Sequence, residues 1–162
     1  MLTKCAYDST LGPMTVAASE KGLTALVFVG QKYEALHVPP DAQEGQTPLL
    51  KKARAWLDRY FAGQNPDSAE LPLDLRGTDF QRRVWNELRS IPYGAVVSYG
   101  ELARRLGTSA RAAGAAVGRN PVSIVVPCHR VVGADGSLTG YAAGVDVKRR
   151  LLELEGVLPA AE

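Results

Sequence analysis

A cysteine and a histidine stand side by side in the second half of the chain, in the segment Pro127-Cys128-His129-Arg130. A thiol that neighbours an imidazole and a guanidinium is placed to lose its proton, and the thiolate is the nucleophilic form of cysteine. The β-branched run at 122–126 predicts a buried extended segment that ends at Cys128. A core cysteine beside a surface histidine is the alternative, since free cysteine is among the most buried residue types.

A carboxylate near the end of the chain is a candidate partner for this histidine. Glu155 closes a predicted helix over 147–155, capped by Asp146, and falls at the edge of its apolar face. Burial and a helix C-terminus both disfavour an anion, so a buried Glu155 needs a cationic or donor partner. If His129 is that partner, a relay runs from Cys128 through a water molecule to His129 and on to Glu155. An exposed glutamate on a fraying last turn explains the same sequence.

Two other chemistries are disfavoured. A papain-like peptidase takes its histidine from far along the chain, and His37, the other histidine, has no accompanying third-group signature. A zinc site would have to combine Cys5, His37, Cys128 and His129 without the short paired spacings of structural zinc. The sequence therefore predicts no metal and no cofactor.

A small sheet with one helix is predicted to come first in the chain. Apolar and polar residues alternate over the first 30 positions and predict an antiparallel meander whose last strand spans 23–29. Residues 39–45 predict a loop. A helix follows over 48–61, where Thr47 is the cap and Pro48 takes the first helical position.

A mostly helical unit is predicted to follow a connector at 63–75. The chain therefore divides into a first domain over 1–75 and a second over 76–162. In the second domain, helices begin at Thr78 or Asp79, after the Ser98-Tyr99-Gly100-Glu101 capping box, and at about 110. The last two, joined by a tight turn, fit a helix-turn-helix, although a plain helical hairpin is the commoner source of this pattern.

Positive charge is concentrated in the second domain. Residues 1–75 carry 7 basic and 9 acidic side chains, a net of −2, whereas residues 76–162 carry 12 and 8, a net of +4. Within 98–130 five arginines face one acidic residue, Glu101; they are Arg104, Arg105, Arg111, Arg119 and Arg130. This cationic patch is compatible with a phosphate backbone, and arginines scattered on a solvated surface are the alternative.

Composition excludes several classes of protein. With 162 residues, 46% hydrophobic and 22% charged, the chain is neither a disordered tail nor a collagen-like fibre. No apolar run approaches the ~18 residues of a membrane span. Two cysteines form at most one bridge, which favours a reducing compartment and predicts a cytoplasmic protein.

Further motifs accompany Pro127-Cys128-His129-Arg130-Val131. They are Asn120-Pro121, Gly140-Tyr141, Leu151-Leu152-Glu153-Leu154-Glu155-Gly156, Gly77-Thr78-Asp79-Phe80-Gln81, Ile91-Pro92-Tyr93-Gly94 and Ser98-Tyr99-Gly100-Glu101-Leu102-Ala103. Together they closely resemble the O6-alkylguanine-DNA alkyltransferases, the methylated-DNA–protein-cysteine methyltransferases, over nearly all of 77–157. The first domain matches more loosely, through Leu11-Gly12-Pro13 and its order of sheet and helix.

The resemblance implies an α/β fold. A small ribonuclease-H-like N-terminal sheet-plus-helix domain precedes a mostly helical, winged-helix-like C-terminal domain with a helix-turn-helix. It implies a DNA repair protein that flips O6-alkylguanine out of duplex DNA and transfers the alkyl group irreversibly to Cys128, once per molecule. The implied partner is double-stranded DNA, bound through its minor groove by a monomer without cofactor or membrane.

The resemblance also implies roles for individual residues. Tyr99 supplies a proton toward guanine N3, Asn120 braces the cysteine segment, and Arg111 fills the base stack that the flipped nucleotide leaves. The implied catalytic set is Cys128, His129, Glu155, Tyr99 and Asn120. The implied DNA contacts are Arg111, Tyr99, Ala112, Arg119 and Arg130. The implied pocket residues are Val131, Tyr141, Ala142, Ala143, Val117 and Lys148.

Three features depart from the family pattern. The turn Thr108-Ser109-Ala110 is shorter than the family's usual stretch before Arg111. Ala143 stands where many members have glycine, which narrows the pocket for bulky alkyl groups. Cys5 matches one position of the zinc site of some animal members, but its partner positions are missing. A DNA-binding regulator without chemistry and a cysteine hydrolase are the competing functions.

Overall fold

The structure of this chain is a computed structural model that describes residues 2–159. Positions 1 and 160–162, at the outer ends of the two predicted domains, lie outside the described residues. Within residues 2–159, no helix is long and apolar enough to cross a membrane.

The alternating pattern at the start of the chain forms the predicted meander. Strands β1 (Thr3–Ser9), β2 (Gly12–Ala18) and β3 (Leu23–Phe28) pair antiparallel, each with its chain neighbour. Gly12, at φ 126°, makes the turn between β1 and β2 that a residue with a side chain rarely adopts. All of β3 is buried, because the second half of the molecule packs on this edge of the sheet.

The segment after β3 is more structured than the loop that the sequence predicted. A single helical turn, α1 (Glu34–His37), comes first, and β4 (Gln43–Glu44) adds to β1 as a parallel edge strand. Two residues carry too little pattern to signal a strand, so only the pairing with β1 reveals it. Helix α2 (Pro48–Phe61) then begins as predicted, with the Thr47 hydroxyl accepting from the N–H of Leu50.

The helices of the second half begin where local signals place them. Thr78 and Gln81 form a reciprocal capping box on α3 (Asp79–Leu88), and the Ser98 hydroxyl caps α4 (Tyr99–Leu106). After a left-handed C-cap at Gly107, Ser109 caps α5 (Ala110–Val117). Helices α4 and α5 pack on each other and on α3, which confirms the predicted pair of short helices.

The last helix differs from the prediction in its N-cap residue. Strands β5 (Val97–Ser98) and β6 (Val131–Val132) form a two-stranded parallel ladder. Helix α6 (Val145–Leu154) begins after Gly144, so Asp146 lies in its first turn and is not the predicted cap. Glu155 is the C-cap residue, and Gly156, at φ 80°, ends the helix.

The prediction of an extended segment at 122–126 is wrong. This segment is buried but turns back on itself, and the N–H of Val126 donates to the carbonyl of Val122 at 3.0 Å. Ile124 sits at φ 71°, a strained left-handed conformation for a β-branched side chain. The segment is held by β3, because the N–H of Ser123 donates to the carbonyl of Leu26 at 2.9 Å.

One apolar core runs through both halves of the molecule. Tyr60 and Leu26 of the first half and Val126 and Leu151 of the second belong to the same cluster of buried residues. The division into domains over 1–75 and 76–162 therefore stays a prediction from the sequence, since the structure packs both parts as neighbours.

Candidate active site

Cys128 begins a short 3-10 turn, Cys128–Arg130, that follows the strained segment. Its backbone N–H donates to the carbonyl of Val126 at 2.8 Å, and its side chain is 6% exposed. Cys5, the other cysteine, is also a free and buried thiol, but it lies in β1.

The Cys128 thiol lines a cavity of about 240 Å³. Three predicted pocket residues line it: Val117, Tyr141 and Ala142. The other three lie outside the lining: Val131 is fully buried in β6, Ala143 packs against the core, and Lys148 is buried in α6. Helix α5 and its C-cap residue Gly118 supply one wall; Gly114, Ala115 and Val117 of the helix are small residues that keep its backbone close to the cavity.

Two residues of the first half, Lys32 and Tyr33, also line this cavity. The backbone N–H of Lys32 donates to the carbonyl of Ala142 at 3.1 Å, and the Arg119 guanidinium lies 4.0 Å from the centre of the Tyr33 ring. The sequence analysis missed both residues. Nothing in the sequence around Lys32 and Tyr33 links them to Cys128, so only the packing of their segment against the Ala142 loop shows that they line the cavity.

Burial raises the pKa of the Cys128 thiol above its ordinary value. The Asn120 amide, the Lys148 charge and the Tyr141 hydroxyl act in the opposite direction without overcoming burial. The thiol is therefore protonated at neutral pH, in contrast to the resting thiolate that its neighbours in sequence indicated. It needs a base in order to react.

His129 is fully buried, and its Nε2 lies 2.6 Å from Oε2 of Glu155. Burial, together with the positive charges of Arg130 and Lys148, lowers the pKa of His129 in spite of the neighbouring carboxylate, so the imidazole is neutral near pH 7. Since Glu155 accepts at Nε2, the neutral ring carries its proton there and leaves Nδ1 as an acceptor. Nδ1 is buried and has no hydrogen-bond partner among residues 2–159.

Glu155 is ionised at the centre of a buried network. Burial raises its pKa, but the hydrogen bonds and charges of His129 and Arg130 outweigh burial and hold it at about 2. Arg130 donates from Nε to Oε1 at 2.7 Å and from Nη2 to Oε2 at 3.1 Å. The predicted contact between His129 and Glu155 is therefore present.

Arg130 does not lie where a DNA contact requires it. Its side chain is 11% exposed, and besides Glu155 its guanidinium donates from Nη1 to the carbonyl of Ile91 at 2.7 Å. The predicted role of Arg130 in DNA binding is corrected accordingly. All three guanidinium nitrogens of Arg130 already donate to groups inside the protein.

Tyr60 of α2 is a third residue that the sequence analysis missed. Its hydroxyl donates to Oε2 of Glu155 at 2.6 Å, from a position 95 residues earlier in the chain. In the sequence Tyr60 belongs to the apolar face of a helix and is indistinguishable from a core aromatic. No local signal connects it with Glu155.

Asn120 holds the strained segment from inside. Its Nδ2 donates to the carbonyl of Val126 at 2.8 Å, while its Oδ1 accepts from the N–H of Val122 at 3.0 Å. Both ends of the turn before Cys128 are thereby tied to one buried amide. This geometry matches the bracing role that the resemblance implied.

Lys148 and Tyr99 position the loop on the far side of the cavity. The Lys148 ammonium donates to the carbonyls of Thr139 and Gly140 at 3.3 and 3.2 Å, and it lies 5.7 Å from the centre of the Tyr99 ring. The Tyr99 hydroxyl donates to the carbonyl of Thr139 at 3.2 Å and its ring lines the cavity. Lys148 therefore supports the wall from behind.

The predicted DNA contacts on α5 lie at the molecular surface. Arg111 is exposed in the first turn of α5, Ala112 is half-buried beside it, and Arg119 is exposed after its end. Helix α5 thus presents small residues to the cavity and arginines at either end. A cationic surface therefore adjoins the opening to Cys128.

Two family models match most of the described chain. A family model described as 6-O-methylguanine DNA methyltransferase, DNA binding domain, matches residues 79–157, and one described as 6-O-methylguanine DNA methyltransferase, ribonuclease-like domain, matches residues 2–75.

Similar individual proteins come from bacteria and archaea. The methylated-DNA–protein-cysteine methyltransferase of Mycobacterium tuberculosis (strain H37Rv) is 49% identical and aligns with 91% of this chain and 88% of its own length. That of Methanosarcina acetivorans is 44% identical, over 93% and 96%. Among solved structures, Mycobacterium tuberculosis OGT in complex with DNA superposes with a TM-score of 0.83 at 45% identity, over 94% of this chain and 92% of that one.

Proposed function

The chain belongs to the 6-O-methylguanine DNA methyltransferase family, and we propose that Cys128 is the residue that accepts the alkyl group. Its activity is DNA repair by alkyl transfer. One observation carries the assignment of the acceptor. Cys128 is a free thiol on the wall of a cavity, and the neutral, acceptor-bearing His129 lies next to it in a buried ion network.

The first step is removal of the thiol proton. Because the pKa of Cys128 is raised, the proton has to pass to a base within the protein, and Nδ1 of His129 is a buried acceptor with no protein partner among the described residues. A water molecule between Sγ and Nδ1 completes the path. Glu155 then stabilises the imidazolium that forms, as an ionised partner at Nε2.

The second step transfers the alkyl group. The Cys128 thiolate attacks the alkyl carbon in line with its bond to guanine O6. The new C–S bond forms as the C–O6 bond breaks, and the electron pair of that bond stays on guanine. A proton delivered to the departing base, for which Tyr99 on the cavity wall is the candidate, yields neutral guanine.

Access explains the need to extrude the base. A cavity of about 240 Å³ admits a single base, but an alkylguanine stacked in a duplex cannot reach the buried thiol. We infer that α5 enters the minor groove of double-stranded DNA and that Arg111 occupies the vacated stack. We infer that Ala112, on the same helix, and Arg119, two residues after its end, also contact the DNA.

The oligomeric state, the compartment and the domain division are also part of the proposal. All residues of the cavity and the relay come from one chain, so we infer that a monomer is active. Two free, buried cysteines suit a reducing compartment, which favours the cytoplasm. The division into an N-terminal domain over 1–75 and an alkyl-accepting domain over 76–162 is part of the same proposal.

The test is the mass of the intact protein after reaction with duplex DNA that contains O6-methylguanine. We expect a gain of one methyl group at Cys128, a plateau at one lesion repaired per protein molecule, and no further repair when fresh substrate is added. A thioether offers no leaving group that water displaces under mild conditions, so the product is permanent. Sustained turnover would instead identify a hydrolase, and lesion binding without any gain of mass would identify a non-catalytic DNA-binding protein.

A further inference from the structure

We propose that Tyr60, in helix α2 of the first half, is a positioning residue for alkyl transfer. Its hydroxyl holds the Glu155 carboxylate in the orientation in which that carboxylate fixes His129. The inference rests on the proposed function of Cys128 and His129. It gives the N-terminal sheet-plus-helix unit a part in the chemistry, beyond its packing against the second half.

The geometry places Tyr60 and His129 on the same oxygen atom. The Tyr60 hydroxyl donates to Oε2 of Glu155 at 2.6 Å, and Nε2 of His129 lies 2.6 Å from that same Oε2. Tyr60 is 1% exposed and Glu155 is 4% exposed, so water does not compete for these bonds. A hydrogen bond from a hydroxyl to a buried carboxylate is among the stronger kinds in proteins.

Tyr60 and Arg130 together determine how the carboxylate is turned. Arg130 makes its shorter contact, 2.7 Å, with Oε1, and its contact with Oε2 is longer, at 3.1 Å. Tyr60 therefore supplies the short second donor that keeps Oε2 directed at His129. Without it, Oε2 keeps only His129 and the longer Arg130 contact, so the orientation of the carboxylate is less tightly fixed.

Aromatic neighbours set the position of the Tyr60 ring independently of its hydroxyl. The ring stacks on Trp56 at 5.8 Å and meets Tyr93 edge to face at 6.4 Å. The indole N–H of Trp56 is in turn held by the carbonyl of Asp67 at 3.0 Å. A phenylalanine at position 60 keeps these contacts and removes only the hydroxyl, so the substitution isolates the hydrogen bond.

The electrostatic consequence has a definite sign. His129 and Arg130 from the 3-10 turn and Tyr60 from α2 contact Glu155; the Tyr93 and Tyr141 hydroxyls also face it, and Lys148 faces His129. Donation from Tyr60 withdraws negative charge from Oε2. Loss of that donor leaves the carboxylate more negative, and this raises the pKa of His129. The imidazole then stays protonated, and unable to accept the thiol proton, up to a higher pH.

The experiment compares Tyr60→Phe with Tyr7→Phe. Tyr7 is a matched control, because its hydroxyl donates to the Asp58 carboxylate at 2.7 Å and its ring stacks on Phe61, also in the first half. The rate of alkyl transfer from free O6-benzylguanine is measured against pH for each variant, together with the melting temperature. A free base needs no extrusion, so the rate reports on the relay.

For Tyr60→Phe we expect a plateau rate roughly three- to tenfold below wild type and an acid limb displaced to higher pH by about half a unit or more. Tyr7→Phe is expected to keep the wild-type limb. A purely structural role for Tyr60 predicts a lower melting temperature with an unmoved limb, and that result overturns the proposal.

A second measurement does not depend on turnover. The ¹⁵N chemical shifts of the His129 ring, recorded against pH in Cys128→Ala with and without Tyr60→Phe, report its tautomer and its pKa directly. An unchanged titration of His129 in the double variant also overturns the proposal. Failure of the proposed function is distinguishable, because in that case wild type itself gains no alkyl group.

Discussion

In two regions of this protein a glutamate is held by two basic side chains, one in the interior and one at the surface. In the interior, Glu155 is bound by His129 and Arg130 and is almost fully buried. On the surface of α4, Glu101 is bound by Arg104 and Arg105 in contact with solvent. Solvent screens the surface pairs, whereas the buried carboxylate cannot exchange its donors for water. Burial, and not residue type, therefore decides which of the two glutamates is expected to affect stability and alkyl transfer.

The arginines show the same contrast. Arg130 is committed to Glu155 and the carbonyl of Ile91, while Arg111 is exposed at the start of α5. Two arginines of the same basic stretch, 19 positions apart, thus lie in different environments. Substitutions in the interior region are expected to cause large losses of stability and of alkyl transfer. Substitutions in the surface region are expected to slow only the repair of duplex DNA.

The largest effect is expected for Cys128→Ala, which removes the nucleophile. Transfer is abolished, while binding to alkylated duplex DNA stays near the wild-type level because other groups hold the duplex. Intact-protein mass and a gel-shift assay measure the two properties separately. Cys5→Ala is the control and is expected to transfer normally; alkyl uptake at Cys5 in the Cys128→Ala variant would refute the assignment.

Next in size is the contrast between two glutamates. Glu155→Gln leaves Arg130 without its buried counter-charge and is expected to cost about 3–5 kcal/mol in the free energy of unfolding. It is also expected to slow transfer strongly. Glu101→Gln removes a solvent-exposed partner and is expected to change both properties little. Urea denaturation of the two variants gives the comparison, and equal losses would contradict the distinction between the regions.

The interior network also predicts how stability depends on pH. The pKa of His129 is lowered on folding, so the unfolded chain binds its proton more readily and stability falls as pH drops below about 6.5. Glu155 has a pKa of about 2 when folded against 4.5 ordinarily, so its contribution is full above about 4.5 and is lost as pH falls toward 2. This loss is expected to reach about 3 kcal/mol.

Urea denaturation between pH 7 and pH 2 measures this dependence. Glu70→Gln is the control, because Glu70 also has a lowered pKa, from its pair with Arg59, but lies in solvent. This variant is expected to keep the wild-type pH dependence. A stability that does not change across this range would show that the network is not coupled to folding.

The smallest effect is expected at the surface. Arg111→Ala should slow repair of duplex DNA about tenfold, or ~1.4 kcal/mol, and leave reaction with free O6-benzylguanine unchanged, because only a duplex has a stack to fill. Arg149→Ala, on α6 and paired with Asp146, is the matched control. Equal losses on duplex and free base would make Arg111 a structural residue.

Local chemistry in the sequence determined most of the helices and strands and the pairing of His129 with Glu155. Thr47 and Ser98 cap helices where their hydroxyls were expected to, and Thr78 is the cap of the two candidates before α3, because a cap involves atoms only a few residues apart. The pairing of His129 with Glu155 was also accessible, since a carboxylate at the edge of an apolar helix face demands a donor.

Tertiary structure alone decided the surroundings of that pair. The left-handed Ile124, the inward turn of Arg130 and the donation from Tyr60 to Glu155 all depend on segments that meet only after folding. A tyrosine on an apolar helix face has the same sequence signature whether its hydroxyl meets a backbone carbonyl or a catalytic carboxylate. The partner of a buried polar group is chosen by the packing of distant elements, and periodicity along the chain contains no record of it.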